Sequence, residues 1–96
     1  MRMEGNILLD HKVAQIEGNI VCDVDGEMAM LSVQNGKYYN LGDIGGDIWL
    51  HIENQISVRE LIHRLVSEFD VEESQCETKV ISFLNQLHEE KLIEIV

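Results

Sequence analysis

The sequence contains no proline, only two cysteines and few aromatic residues, which make up 5% of the chain. Without proline, no helix or strand is interrupted by a residue that lacks a backbone N–H. No apolar run approaches the ~20 residues of a transmembrane helix, so we expect a soluble protein that does not enter a membrane. A chain of 96 residues is long enough for one domain with a single small core.

Basic residues are also scarce, with 7 Lys and Arg against 18 Asp and Glu and a formal net charge of -11 at pH 7. Such a surface repels polyphosphates and anionic lipids, and it favours a neutral or basic partner. The few basic residues are spread along the whole chain without a cluster. Since a DNA-binding protein must neutralise several phosphates, we do not expect a nucleic-acid partner.

The residues that usually carry catalysis or bind metals form no recognisable group. Cys22 and Cys76 lack metal-ligand spacing and no signal peptide is evident, so we expect reduced, buried, inert thiols in the cytoplasm. The scattered histidines are best interpreted as surface residues: His11, His51, His63 and His88. No set of residues supplies a nucleophile, a base and an orienting group together, so neither an enzyme nor a cofactor is predicted.

The first half of the chain has the pattern of an antiparallel sheet. Asp25-Gly26 and Asn35-Gly36 are hairpin turn dipeptides, and they separate apolar segments at residues 20–24, 27–33 and 37–41. A three-stranded meander is predicted. Residues 1–19 also alternate in polarity, and they form either an extra strand or an N-terminal arm.

The second half changes to helical spacing and predicts three helices. The first starts at Asp43, which is expected to cap it and which precedes Ile44, Ile48, Trp49 and Ile52. The second starts at a capping box, in which Ser57 and Glu60 each satisfy a free N–H, and the third starts near Ser74. The apolar C-terminal residues are expected to pack on the core: Leu92, Ile93, Ile95 and Val96. The fold class is therefore α+β and winged helix-turn-helix-like, with a three-stranded antiparallel sheet followed by three helices.

The glycine-rich stretch LGDIGGD at residues 41–47 invites comparison with a phosphate-binding loop. Asp43 and Asp47 would repel a phosphate, and no Lys-Ser or Lys-Thr follows. The better interpretation is that Gly42 makes the turn into the helix, while Gly45 or Gly46 allows the helix to pack closely on the sheet.

The two adjacent tyrosines, Tyr38 and Tyr39, point to opposite faces if residues 37–41 form a strand. On an edge strand, the free backbone groups would pair readily with another chain. An extended peptide could therefore add to this edge, with side-chain pockets giving selectivity. The alternative, two ordinary half-buried strand aromatics, stays open at this point.

Several motifs, in this order, resemble those of PqqD-like domains, the precursor-peptide recognition elements of ribosomal-peptide biosynthesis. The motifs are DG at 25–26, GKYYNL at 36–41, IGGDIW at 44–49, FDV at 69–71, FLNQL at 83–87 and LI at 92–93. The resemblance covers residues 20–96 and is greatest to the stand-alone, leader-binding half of the split lasso-peptide B protein. It leaves residues 1–19 outside. One departure is Gly42, where the family usually has Asn after the leucine.

The resemblance implies a non-catalytic adaptor without a cofactor. The leader of a precursor peptide would add as an antiparallel strand between the third strand and the third helix, and a partner cysteine peptidase would then remove it. Carried onto this sequence, the resemblance implies these leader-binding residues: Lys37, Tyr38, Tyr39, Asn40, Leu41, Cys76, Lys79, Val80 and Phe83. Periodicity also allows Val80 and Phe83 to be core residues. The alternatives are a PqqD-like peptide carrier for a radical-SAM enzyme and, from another class, a small winged-helix DNA-binding regulator.

Overall fold

The structure, a computed structural model, describes residues 7–96 apart from the side chain of Asp43. Residues 1–6 of the expected N-terminal segment, and the expected capping by the Asp43 carboxylate, lie outside the described part. The elements follow the chain in this order: β1 Lys12–Gln15, β2 Asn19–Val24, β3 Glu27–Ser32, β4 Lys37–Leu41, α1 Gly42–His51, β5 Ile56–Ser57, α2 Val58–Phe69, α3 Glu73–Glu89 and β6 Ile93–Ile95. The α+β class, the meander and the three helices are confirmed.

The predicted meander is the antiparallel sheet β2-β3-β4. Asp25 and Gly26 both have positive φ, 55° and 86°, as a two-residue hairpin turn requires. The second turn is different, because only Gly36 of the Asn35-Gly36 pair has positive φ. Its N–H donates to the Ser32 carbonyl at 2.8 Å and closes a four-residue loop.

A second small sheet has the order β5-β1-β6, which the sequence pattern did not predict. Residues 12–15 therefore form a strand, in which Val13 pairs with Ile56 on one side and Ile95 on the other. Val13 is fully buried, so this sheet contributes to the same core as the helices. The expected packing of the C-terminus holds for Leu92 and Ile93, but Val96 is exposed because it lies beyond β6.

The helix starts show which capping predictions were correct. Helix α1 begins at Gly42, one residue before the predicted position, and the Asn40 side-chain oxygen accepts from the Gly42 N–H at 2.9 Å. Ser57 Oγ accepts from the Glu60 N–H at 3.1 Å, which confirms its half of the capping box. The Glu60 carboxylate instead accepts from Arg64 Nε at 3.2 Å.

Helix α1 packs closely on the inner face of the meander, as predicted for a glycine-containing helix. A Cβ at Gly46 would lie 2.8 Å from Met28 Cβ on β3, and a Cβ at Gly45 would lie 2.9 Å from the tip of the Phe83 ring on α3. Only glycine permits this spacing without movement. The close approach of α1 therefore positions both the sheet and α3.

Candidate functional site

Strand β4 lies at one edge of the meander and pairs with β3 alone among the strands of residues 7–96. Alternate residues of such a strand direct their N–H and C=O groups away from the sheet, where another strand can bond to them. Tyr39 lies opposite Met30 in the register, on the face that packs on the core, whereas Tyr38 lies opposite Leu31 on the other face. The two tyrosines therefore serve opposite sides of the sheet, as the alternation predicted.

A groove runs between β4 and the C-terminal half of α3, with a volume of about 350 Å³. The strand contributes Tyr39, Asn40 and Leu41 to its walls, and the helix contributes Phe83 and Leu87. The remaining lining residues are Gln86, Glu89, Glu90 and Leu92. The groove thus combines apolar walls with a polar and acidic rim beside a free strand edge.

A cluster of polar side chains joins strand and helix at one end of this groove. The Tyr39 hydroxyl donates to Glu90 Oε1 at 2.7 Å, and Lys37 Nζ lies 3.5 Å from the same oxygen. Asn35, in the β3–β4 turn, donates to the Tyr39 hydroxyl at 3.2 Å and to the Glu90 carbonyl at 2.8 Å. These bonds fix the distance between β4 and the end of α3.

The same cluster favours the ionised form of Glu90. The hydrogen bond from Tyr39, and secondarily the positive charge of Lys37, lowers the pKa of this carboxyl below its ordinary value of 4.5. Glu90 is therefore a carboxylate at neutral pH. Lys37 forms an ion pair with this carboxylate at the end of the groove, and it does not line the apolar walls.

Phe83 is half-buried, packs against the core and also lines the groove. Its position depends on Gly45, because any larger side chain there would meet the end of the ring. The choice that periodicity left open for Phe83 is resolved in this way: one ring serves both the core and the groove.

The structure brings together only part of the predicted residue set. Tyr39, Asn40, Leu41 and Phe83 line one groove. Tyr38 is exposed on the other face of the sheet and Lys79 is exposed away from the groove lining.

Two residues of that set are corrected. Cys76 and Val80 lie in the core, with 2% and 0% exposure, and neither lines the groove. They share one helical stripe with Leu84 and Leu87. The groove is lined by Phe83, Gln86 and Glu90, which follow one another at intervals of three and four residues beside this stripe, and by Leu87 at the C-terminal end of the stripe itself.

The two cysteines differ in their surroundings. Burial, followed by the nearby charge of Glu73, raises the pKa of the Cys76 thiol above its usual value of 9.0, so this group is a neutral thiol at physiological pH. Cys22 was expected to be buried but is exposed, because it lies on the outer face of β2 opposite Ala29.

Within residues 7–96, His, Cys, Asp and Glu form no group of three that could hold a metal ion. In the same part of the chain, none of the helices has both the length and the apolar character needed to cross a membrane.

Comparison with solved structures finds the same fold in peptide-recognition proteins. TbiB1 in complex with the TbiA(beta) leader peptide has 25% identity and a TM-score of 0.73, over 84% of this chain and 94% of that one. A lasso peptide synthetase B1 complexed with its leader peptide has 22% identity and a TM-score of 0.72, over 85% and 96%. The PqqD truncation of Methylobacterium extorquens PqqCD, a stand-alone recognition element for ribosomally synthesised and post-translationally modified peptides, has 14% identity and a TM-score of 0.80, over 96% and 99%.

Sequence comparison gives the family. No curated protein matches the chain. The family model described as coenzyme PQQ synthesis protein D matches residues 27–93, which include the meander from β3 onward, all three helices and the start of β6. The match covers well over half of the sequence and includes both walls of the groove. The chain therefore belongs to the PqqD family.

Proposed function

We propose that this chain is a non-catalytic adaptor that binds the leader of a ribosomally made precursor peptide of the lasso class. The observation that carries the proposal is the outer edge of β4, which no strand within residues 7–96 covers, beside a groove with apolar walls. Two proteins of the same fold, one of them 25% identical to this chain, have structures in complex with leader peptides. The leader adds to β4 as an antiparallel strand, with α3 as the opposite wall.

Affinity and selectivity then come from different parts of the site. Backbone bonds to β4 bind any extended peptide, whereas alternate leader side chains enter the groove between Tyr39, Leu41 and Phe83. A volume of about 350 Å³ lies at the lower end of ordinary ligand pockets, so the groove selects a few apolar side chains. The sheet's other edge, β2, contributes no residue to this groove.

The rim adds an electrostatic preference. Glu89 and Glu90 lie on the groove, and the whole chain carries a formal charge of -11. A leader with basic residues beside its apolar anchors is attracted, and an acidic one is repelled. Binding also holds the attached core peptide near a partner cysteine peptidase, which raises its local concentration and leads to leader removal.

Fluorescence anisotropy with a labelled leader peptide tests the groove. The variant Phe83→Ala removes a groove wall, while Ile81→Ala removes an equally half-buried side chain of α3 outside the groove. We expect Phe83→Ala to raise the Kd at least about tenfold and Ile81→Ala to leave it within about twofold. Equal effects of the two variants would refute the groove.

Strand addition has its own test, because antiparallel pairing uses alternate backbone groups. A series of leader peptides, each N-methylated at one successive position, should lose affinity at every second position of the bound segment. Uniform tolerance of N-methylation would refute β-strand addition while leaving groove binding intact. Leader cleavage by the peptidase, in turn, distinguishes this adaptor from a carrier that serves a radical-SAM enzyme.

A further inference from the structure

The outer face of the β2-β3-β4 sheet is apolar where a solvent-facing antiparallel face is normally polar. The register places Ile20 opposite Leu31 and Leu31 opposite Tyr38, so these three side chains form one row across the sheet. Their exposed fractions are 55%, 40% and 61%. Helix α1 packs on the opposite face of β3, through Gly46 and Met28. We call the row Ile20, Leu31 and Tyr38 the outer row. A contiguous apolar surface of this kind is typical of an interaction site.

The charges around the outer row indicate the chemistry of its partner. The segment 17–36, which contains the β2–β3 hairpin, has four acidic residues, Glu17, Asp23, Asp25 and Glu27, and no Lys, Arg or His; the register places one of them, Asp23, on the α1 side of the sheet. All four are exposed. A second copy of this chain would bring like charges together, which opposes self-association. An apolar patch ringed by basic residues complements this face.

The location of the outer row identifies the occupant further. Side chains on one face of a sheet continue as rows onto each neighbouring strand. A leader strand added to β4 would direct alternate side chains into the groove and the others onto the outer face, beside Tyr38. A protein bound to the outer row would therefore contact adaptor and leader together, and it would bind the loaded adaptor more tightly than the empty one.

We propose that the outer row docks the enzyme that acts on the bound peptide, through an apolar patch with a basic rim. This inference rests on the proposed leader binding. It assigns the two faces of β4 to different partners: the face toward the groove binds the leader, and the outer face binds the enzyme. The enzyme in the test is the cysteine peptidase.

Two single variants test the outer row without changing the groove. Ile20→Lys lies on the far edge strand, and Leu31→Lys lies in the middle of the row. The control is Leu50→Lys, which changes a leucine on α1 that is as exposed as Ile20. For each folded variant, leader affinity is measured by anisotropy, and leader cleavage by the purified peptidase is measured against adaptor concentration.

We expect leader Kd values within about twofold of the parent chain for all three variants. For Ile20→Lys and Leu31→Lys, the adaptor concentration that gives half-maximal cleavage should rise at least about tenfold, whereas Leu50→Lys should not change it. In a further variant, Glu17→Lys, the adaptor should stimulate leader cleavage by the peptidase less than the parent does at low ionic strength, and this difference should shrink at high salt.

The outcomes separate the two proposals. If the parent chain binds no leader, the proposed function fails and the outer row loses its rationale. If leader binding is intact and cleavage is the same with Ile20→Lys, Leu31→Lys and the parent chain, the outer row is not the docking surface. If all three lysine variants impair cleavage equally, the effect is one of added charge, and the outer row is again refuted.

Discussion

Adjacent glycines of α1 offer a sharp test of how this fold positions its groove, because Gly45 and Gly46 meet different neighbours. In Gly46→Ala, the new Cβ would lie 2.8 Å from Met28 Cβ. Carbon atoms prefer a separation of ~3.5–4.0 Å, so the overlap is about 0.7 Å or more. Both atoms are attached directly to backbone, one on α1 and the other on the central strand. Neither can rotate away, and α1 must move from the sheet.

The size of the effect follows from two opposing contributions. Replacing a helical glycine by alanine stabilises a helix by about 1 kcal/mol. Overpacking a core contact costs about 1–3 kcal/mol, and the upper half of this range applies where both atoms are Cβ atoms held directly by rigid backbone. The net loss is about 1–2 kcal/mol in the free energy of unfolding for Gly46→Ala. For a domain of this size, the Tm should fall by roughly 4–16 °C.

Gly45→Ala should behave differently although the distance is similar. Its Cβ would lie 2.9 Å from Cζ of Phe83, at the far end of a half-buried ring that can swing aside. The helix-propensity gain then offsets much of the cost, so stability should stay within about 1 kcal/mol of the parent. The displaced ring moves into the groove, so leader affinity should fall.

Thermal and urea unfolding followed by circular dichroism measure the stability of both variants, and fluorescence anisotropy with a labelled leader peptide measures their leader affinity. The expected pattern is a crossover, with Gly46→Ala reducing stability and Gly45→Ala reducing affinity in a folded protein. A Gly46→Ala variant as stable as the parent would show that α1 and β3 adjust their spacing without cost. Such a result would refute a rigid contact between the two backbones.

Two further predictions concern the Tyr39–Glu90 hydrogen bond and the buried stripe of α3. Tyr39→Phe removes the hydrogen bond that chiefly lowers the pKa of Glu90, so an NMR titration should find that pKa nearer its ordinary value of 4.5. The pKa of Glu90 is lower in the folded protein than in the unfolded chain, so its contribution to stability is complete above the unfolded-state pKa and is lost as the pH falls through the folded-state pKa. Tyr39→Phe removes much of this contribution, and acid unfolding should therefore start at a higher pH in the variant than in the parent. Val80→Asp places an unpaired carboxylate in the core and should destabilise the domain by about 3–5 kcal/mol in urea unfolding, whereas Lys79→Asp, at an exposed neighbouring position, should change stability by less than about 0.5 kcal/mol. Similar midpoints for these two aspartate variants would contradict the placement of Val80 in the core.

Local signals in the sequence predicted the elements that depend on neighbouring residues. Asp25-Gly26 specifies its turn through the positive φ of both residues, and Ser57 marks the start of α2 through its own hydroxyl. For β1 the sequence offered only the alternating polarity of residues 1–19, which left an extra strand and an N-terminal arm both open. Val13 pairs with Ile56 and Ile95, which are distant along the chain and belong to strands of two and three residues. Such pairing is determined by tertiary packing, which periodicity does not encode.

The site shows the same division. Tyr39 was predicted from its place on an edge strand, and Phe83 from the resemblance of the FLNQL motif to the family pattern. Glu90 was missed, because its role depends on Tyr39 and Lys37, which reach it only in the folded protein. Val80 was assigned to the groove although it belongs to the core: Val80 and Phe83 are both apolar and lie only three residues apart on α3, and spacing alone does not say which of the two the other elements cover.

The adjacent tyrosines of β4 explain how a small domain can serve two partners. Tyr39 faces inward, and its hydroxyl, bonded to Glu90, closes one end of the groove. Tyr38 faces outward and completes a row with Leu31 and Ile20. Since the side chains of a strand alternate, a single edge strand could present one surface to the proposed leader peptide and another to the proposed partner protein. An enzyme on the outer side would approach the bound leader from the face opposite α3. The enzyme would therefore not compete with the leader for the groove. On these proposals, the two faces of one sheet would provide the separation of partners that other proteins obtain from two domains.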